Sequence, residues 1–449
     1  MAEPKTADVP PDAPDPAADL TAAAPAAVQA EVPPELVAQS LADYFGAWMA
    51  RIRAGESGVL PVIVALMVIA IYFEVRSPVF LSPVNLVNLF QQSAIFMVLA
   101  MAEGFALVLG EIDLSIGYVG ACGAAITVQL VQPVTTKWPW WAAIVAGLLF
   151  CLVFGAIQGI LITRLRLPSF IVTLAGFLIG NGLMLWILLR GPFSGYPNLT
   201  GLSDNQKVLY NLMWGTVDPT VSWILMGVVV VALGLFIWLG DSRRRRSGLV
   251  APPASLTLIK IGLIAVVGIV VVAICDQNRA ALGTLEGVPW VMFIVLAVLG
   301  AWMVLFQRSR FGRYIYAIGG NPEAARRAGI SLALVRTGTF ALCSFTAGIG
   351  MLLFASYLGG MSNNVQGGQY VLYAVAAAVI GGTSLFGGRG KPLHGVLGGL
   401  VIGGIYNGMY LLGYDIEPQF IVTGLVLLAA VTIDSLSRRG SASGSVGRV

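Results

Sequence analysis

Three features of this 449-residue chain predict an all-α polytopic membrane protein of about twelve transmembrane helices (range 10–12), with both termini cytoplasmic. Charge is scarce: 57% of residues are hydrophobic and only 11% charged, with a mean hydropathy of +0.85. A soluble domain needs about a quarter charged residues to face water. The apolar runs are long, many near the roughly 20 residues a helix needs to cross a bilayer. Lys and Arg also fall on alternate connections, which orients the chain.

From the N-terminus, residues 1–45 carry eight acids against one base, Lys5, in Ala- and Pro-rich sequence without apolar periodicity. This reads as a disordered cytoplasmic tail, lacking the basic start and short apolar core of a signal peptide. Residues 35–54 read either as an amphipathic helix on the membrane or as a simple linker. A transmembrane domain occupies 46–436, with a long cytoplasmic loop at 307–336, and 437–449 form a short cytoplasmic tail. Beyond the acidic tail the chain carries a balance of +11, which basic loops account for without nucleic acid.

Twelve apolar spans follow, at approximately 59–75, 93–110, 115–134, 140–163, 168–189, 220–240, 258–275, 289–306, 337–357, 370–386, 393–413 and 418–435. The second and third are so close that one or both are expected to be broken or re-entrant. With a cytoplasmic N-terminus, 19 bases lie inside, among them Arg243–Arg246, Arg326, Arg327 and Arg336, against five outside. The reversed topology inverts that ratio. In the eleventh span Gly395, Gly399 and Gly403 share one face, a stripe expected to serve close helix packing.

The four cysteines (Cys122, Cys151, Cys275, Cys343) lie in or beside apolar runs without a CxxC pair, which disfavours a disulfide framework or a zinc site. One histidine, His394, makes neither a His-based metal site nor a triad alone. No metal, cofactor or catalytic chemistry is expected in this chain.

Three constellations stand out. In the long loop, Asn321, Pro322, Glu323, Ala324, Ala325, Arg326, Arg327 and Gly329 read as one short helix. Asn321 suits the N-cap, Pro322 the first turn, Glu323 the positive end of the dipole, and Gly329 a left-handed stop. Such a helix is either a docking element for a cytoplasmic protein or a solvated tether. Secondly, Glu111, Asp113 and Ser115 follow Glu103 in otherwise apolar sequence. Acids at membrane depth are costly and face a cavity or partner, yet Glu111 and Asp113 also fit a plain cytoplasmic turn. Glu103 is the stronger intramembrane candidate. Thirdly, Gly381, Gly382, Gly387 and Gly388 precede Arg389-Gly-Lys391. This is no phosphate loop: Leu385 stands where the Walker pattern needs glycine, and Pro392 where it needs Ser or Thr. Any ATP must therefore be hydrolysed on another chain. Within the spans, Gln158, Asn181, Ser344, Ser356 and Asn407 either hydrogen-bond between helices or line a path.

Four stretches, 111–117 (EIDLSIG), 167–176 (LPSFIVTLAG), 311–326 (FGRYIYAIGGNPEAAR) and 379–388 (VIGGTSLFGG), make the chain resemble the sugar-permease family of bacterial ABC importers. That family includes the ribose and xylose permeases, and the resemblance extends over about residues 60–436. The long segment 191–288, with Arg243–Arg246, is most similar to the xylose-transporting members. The resemblance implies a multi-pass permease of the bacterial inner membrane moving a xylose-like pentose by alternating access. It implies a second permease copy, a cytoplasmic ABC ATPase and a periplasmic sugar-binding protein as partners, with the 321–330 helix coupling to the ATPase. The alternatives are a permease for ribose, galactose or branched-chain amino acids, and an ion-coupled secondary transporter. The latter calls for more midmembrane acids than Glu103 alone.

Overall fold

The computed structural model describes Gly46, Met49 and residues 59–190, 197–201, 203–248, 251–280 and 283–443. The expected tail at 1–45, nearly all of 35–54 and residues 444–449 lie outside the described residues.

Each expected span overlies one helix. These are α1 (Leu60–Arg76), α2 (Pro83–Leu109), α3 (Ile116–Leu130), α4 (Trp140–Arg164) and α5 (Ser169–Leu189), then α7 (Pro219–Arg246), α8 (Ala254–Cys275) and α9 (Trp290–Arg308). The last four are α12 (Leu332–Leu358), α13 (Gly367–Ile380), α14 (Pro392–Leu411) and α15 (Ile416–Ser443). Among the described residues, seven helices (α2, α4, α5, α7, α8, α9 and α12) are long and apolar enough to cross a membrane. Three further elements lie in the connections: α6 (Asp204–Trp214), α10 (Arg310–Gly320) and α11 (Pro322–Arg327). α15 runs on into the expected C-terminal tail.

Helices α2 and α12 form the centre. Within their apolar stretches they are 94% and 78% buried, whereas α7 and α8 are each 11% buried and pack chiefly on one another. Burial on protein is what lets α2 carry polar side chains. Its first turns hold Asn85, Gln91 and Gln92, so α2 begins ten residues before the expected apolar run. Ser82 caps that start, accepting from Asn85 N at 3.3 Å. The Gly395, Gly399 and Gly403 stripe of α14 lies on Met101, Met97 and Ser93 of α2. A Cβ at Gly399 would stand 2.6 Å from Met97 Cα, and one at Gly395 2.7 Å from Met101 N. The packing expectation for that stripe holds.

α3 and α13 have 15 and 14 residues, about 22 and 21 Å at 1.5 Å per residue. Neither spans a hydrocarbon core of roughly 30 Å. Irregular backbone adjoins each of them, at 110–115 before α3 and at 381–391 after α13. α13 ends at Ile380, six residues before the expected limit. There Gly381 leaves no room for a Cβ beside His394 O, and Gly382 turns the chain at φ +109°.

α6 was not expected. Ser203 caps it at 3.3 Å from Gln206 N, and its C-terminal end is pinned to the bundle. Gln91 Nε2 donates to Met213 O at 2.6 Å, and Ser356 Oγ donates to Tyr210 O at 2.9 Å. Ser356, a path candidate from sequence, thus holds α6 against α12.

Candidate functional site

The site sits at the end of the bundle that the Lys and Arg distribution assigns to the cytoplasm. It is built where three irregular segments meet: the break 110–115, the loop 309–331 and the glycine loop 381–391.

The loop helix forms as its caps dictate, over 322–327 rather than 321–330. Asn321 Oδ1 accepts from Ala324 N at 3.0 Å. At the other end Gly329, at φ +81°, allows Gly329 N to reach Arg326 O and Ile330 N to reach Ala325 O, at 3.0 and 3.1 Å. That is a Schellman closure. Ala325 anchors the helix inward, 4% exposed. Glu323 pairs with Arg326 at 2.8 Å and Arg327 at 3.5 Å, and all three side chains are more than half exposed. Exposed pairs of this kind add little stability, so their placement leaves a charged surface facing outward.

α10 connects this helix to the core. Ser309 caps α10 at 2.9 Å from Gly312 N, and Ile315 and Ile318 are fully buried. At its end Gly319 lies against Val108 O, which itself accepts from Gly388 N at 2.9 Å. Tyr316 OH donates to Gly390 O at 2.5 Å, and burial raises its phenol above the usual range. Gly387 and Gly388 both have positive φ, and a Cβ on Gly387 would stand 2.7 Å from Gly319 O and 3.0 Å from Gly110 Cα. Gly387 and Gly388 therefore make a backbone-to-backbone junction among the end of α2, the end of α10 and the loop before α14. No side chain fits between them. Gly381 and Gly382 instead lie against His394.

Directly behind that junction lie the acids. Glu111 pairs with Arg336 of α12, Oε1 to Nε, at 2.9 Å, with side chains 10% and 30% exposed. Burial pushes the Glu111 carboxyl up, and the Arg336 guanidinium pulls it back. Asp113, in the turn between the second and third spans, is fully buried. Asp113 N donates to Glu103 Oε1 at 3.2 Å. Asp113 Oδ1 accepts from Ser115 N at 2.9 Å and from Ser115 Oγ at 2.6 Å. Ser115 Oγ also lies 3.1 Å from Gln158 Oε1 of α4; with one proton for two acceptors, the shorter contact holds it. Glu103, Asp113, Ser115 and Gln158 are each at most 3% exposed. Among the described residues, Glu103 Oε2 and Asp113 Oδ2 have no hydrogen-bond partner by geometry, and the buried Cys343 thiol lies beside the Asp113 carboxyl.

The structure thus brings together Glu103, Glu111, Asp113, Ser115 and Gln158, but not the other four path candidates: Ser356 holds α6 against α12, and Ser344 lies against Gly155 of α4. Asn407 lies toward the opposite end of α14, donating to Asn85 Oδ1 at 3.1 Å and to Gln92 Oε1 at 3.2 Å. Asn181 is half-buried on α5, outside the acidic cluster. Sequence reasoning missed Arg336 as the partner of Glu111. It stands 225 positions away and reads there as one more cytoplasmic base.

The family described as Branched-chain amino acid transport system / permease component matches residues 85–431. Over 385 residues the chain is 32% identical to the xylose transport system permease protein XylH of Escherichia coli (strain K12), covering 85% of this chain and 93% of that protein. It is 31% identical over 402 residues to XylH of Haemophilus influenzae, covering 87% and 100%. With the ribose import permease protein RbsC of Escherichia coli (strain K12) it shares 28% over 380 residues, covering 83% and 92%. No solved structure matches the chain.

Proposed function

This chain belongs to the Branched-chain amino acid transport system / permease component family, and we propose that it is the membrane permease subunit of an ATP-driven importer of a monosaccharide. A xylose-like pentose is the first choice of substrate. The observation that carries this reading is the similarity to xylose permeases along nearly their whole length, which favours a sugar over the amino acids of the family's name. The protein is a multi-pass protein of the bacterial inner membrane. It works with an ATPase and a periplasmic binding protein, as permeases of this kind do.

The α11 helix is the ATPase contact in this reading. It presents Glu323, Arg326 and Arg327 outward, while α10 ties it to the glycine junction. A groove on the ATPase that moves with nucleotide would push α10 and α11 as one body. The junction has no side chains to absorb the push, so it would pass to α2, α12 and α14 as alternating access. A second permease copy completes the assembly, giving each of two ATPase domains one α11 to hold. The permease itself breaks no substrate bond.

The test is sugar uptake and ATP hydrolysis in proteoliposomes holding the chain with its ATPase and binding protein, wild type beside Glu323→Arg. Hydrolysis stimulated by xylose-loaded binding protein, lost on substitution while the subunits still fold, is the expected outcome. Stimulation by another sugar changes the substrate alone. The buried Glu103 and Asp113 are the feature an ion-coupled carrier would use. Uptake driven by a proton gradient without ATP would establish that carrier and sink the importer reading.

A further inference from the structure

Toward the end of the bundle assigned to the outer face, a cavity of about 340 Å³ opens between the end of α12, the start of α13, α14 and α15. We propose that this cavity is the outer sugar site, where the monosaccharide first rests in the permease on its way inward. The inference rests on the importer reading and adds the place and chemistry of entry.

The size lies at the small end of the range for small-molecule sites. Its wall combines aromatic faces with amides: Phe354, Tyr370 and Tyr406 beside Asn364, Gln369 and Gln419. The rings are braced from behind. Phe354 and Tyr370 lie 4.6 Å apart, and Phe96 of α2 supports both Tyr370 and Tyr406, at 6.1 and 5.8 Å between centroids. Two of the amides are held by one end. Gln369 Nε2 donates to Tyr373 OH at 2.7 Å, and Gln419 Nε2 to Tyr414 O at 3.5 Å. Holding one end of an amide orients the other without closing it to a ligand.

This chemistry selects its occupant. Among the described residues, no Asp, Glu, Lys, Arg or His lines the cavity. A zwitterionic amino acid or a phosphorylated sugar brings charges that need pairing once out of water, and nothing here pairs them. A lipid acyl chain would cover the aromatic faces but leave the amides unsatisfied. A neutral monosaccharide fits both halves. Its C–H face lies on an aromatic ring, and each hydroxyl donates and accepts as an amide does. None of the nine path residues singled out from sequence lines this cavity.

The decisive experiment uses Ser362→Cys in the full importer reconstituted with its ATPase and binding protein. All four natural cysteines are buried, whereas Ser362 lines the cavity, is partly exposed and is none of the wall's rings or amides, so the new thiol is the one a reagent reaches. After modification with a bulky maleimide, uptake of xylose is expected to fall more than tenfold while hydrolysis stimulated by sugar-loaded binding protein persists. A methanethiosulfonate that adds only S-methyl is expected to leave uptake within about twofold, because the block is steric. Wild type treated with the maleimide keeps full uptake. Unchanged uptake after complete modification overturns the site. Loss of uptake and stimulated hydrolysis together also overturns it, assigning the segment to binding-protein docking. If the unmodified protein imports no monosaccharide at all, the importer reading fails, and this site with it.

Discussion

The Glu111–Arg336 pair joins the break after α2 to the second turn of the helix that leaves the coupling loop, so its removal perturbs stability and coupling together. At 2.9 Å, and with the effective dielectric of about 20 that suits such sites, the attraction is roughly 6 kcal/mol. Desolvating two charges takes back a large share. Arg336→Ala is then expected to cost about 3 kcal/mol, chiefly by leaving the Glu111 carboxylate nine-tenths covered and unpaired. Glu111→Gln, which leaves Arg336 one-third exposed to find water, is expected to cost about 1 kcal/mol. The double variant should lie no lower than Arg336→Ala, a coupling energy of about 1 kcal/mol or more. Burial already raises the Glu111 carboxyl, and loss of Arg336 raises it further. A carboxyl whose folded pKa exceeds its unfolded value binds protons on folding, so stability falls as pH rises. The penalty of Arg336→Ala should therefore shrink as pH is lowered through that raised value. The assay is reversible unfolding of the purified chain in mixed micelles at several pH values, alongside sugar-stimulated hydrolysis in the assembled importer. If the two substitutions add to within about 0.5 kcal/mol, and the cost of Arg336→Ala is the same at every pH, the pair does no more than two solvated charges.

Asn321→Ala removes the cap of α11 and is expected to cost about 1 kcal/mol locally, read as faster amide exchange at 324–328 with the rest of the protein unchanged. Gly388→Val forces a side chain into the junction at φ +72° and should cut stimulated hydrolysis more than tenfold, while binding of the ATPase to α11, measured by co-purification, persists. Gly399→Leu places its branch against Met97, 2.6 Å from the Cα at Cβ alone. An overpacking cost of 3 kcal/mol or more is expected, seen as a lowered midpoint of thermal unfolding in detergent. Asn407→Leu strips partners from Asn85 and Gln92 and should cost about 2 kcal/mol by the same measurement.

The helices were legible where apolarity and length coincide. α4, α5, α8 and α9 lie close to their expected limits because each turns much of its surface outward, so its sequence is apolar nearly throughout; α7 runs six residues past its expected end, through Asp241 and Arg243–Arg246. The start of α2 was hidden because Asn85, Gln91 and Gln92 interrupt the run, and they are affordable only because Asn407 and the Met213 carbonyl meet them. α6 escaped notice because it is short and largely polar, with only Leu209 and Met213 as fully buried apolar side chains, too few to mark an apolar span. The capped helix in the long loop was readable residue by residue, since N-cap, first-turn Pro and left-handed Gly act within a few positions of one another.

By itself, the sequence determined the membrane-spanning class, the order of the spans, the capped loop helix and the family motifs. Each of these depends on local composition, short-range hydrogen bonding or the hydropathy of a single segment. Only the tertiary structure decided that Glu103, Asp113, Ser115 and Gln158 share one buried network, that Glu111 meets Arg336, and that three glycine segments touch backbone to backbone. It alone decided that amides and rings from four helices surround one neutral cavity. Those are contacts between positions up to hundreds of residues apart, set by how helices pack, and no periodicity along the chain encodes which faces meet.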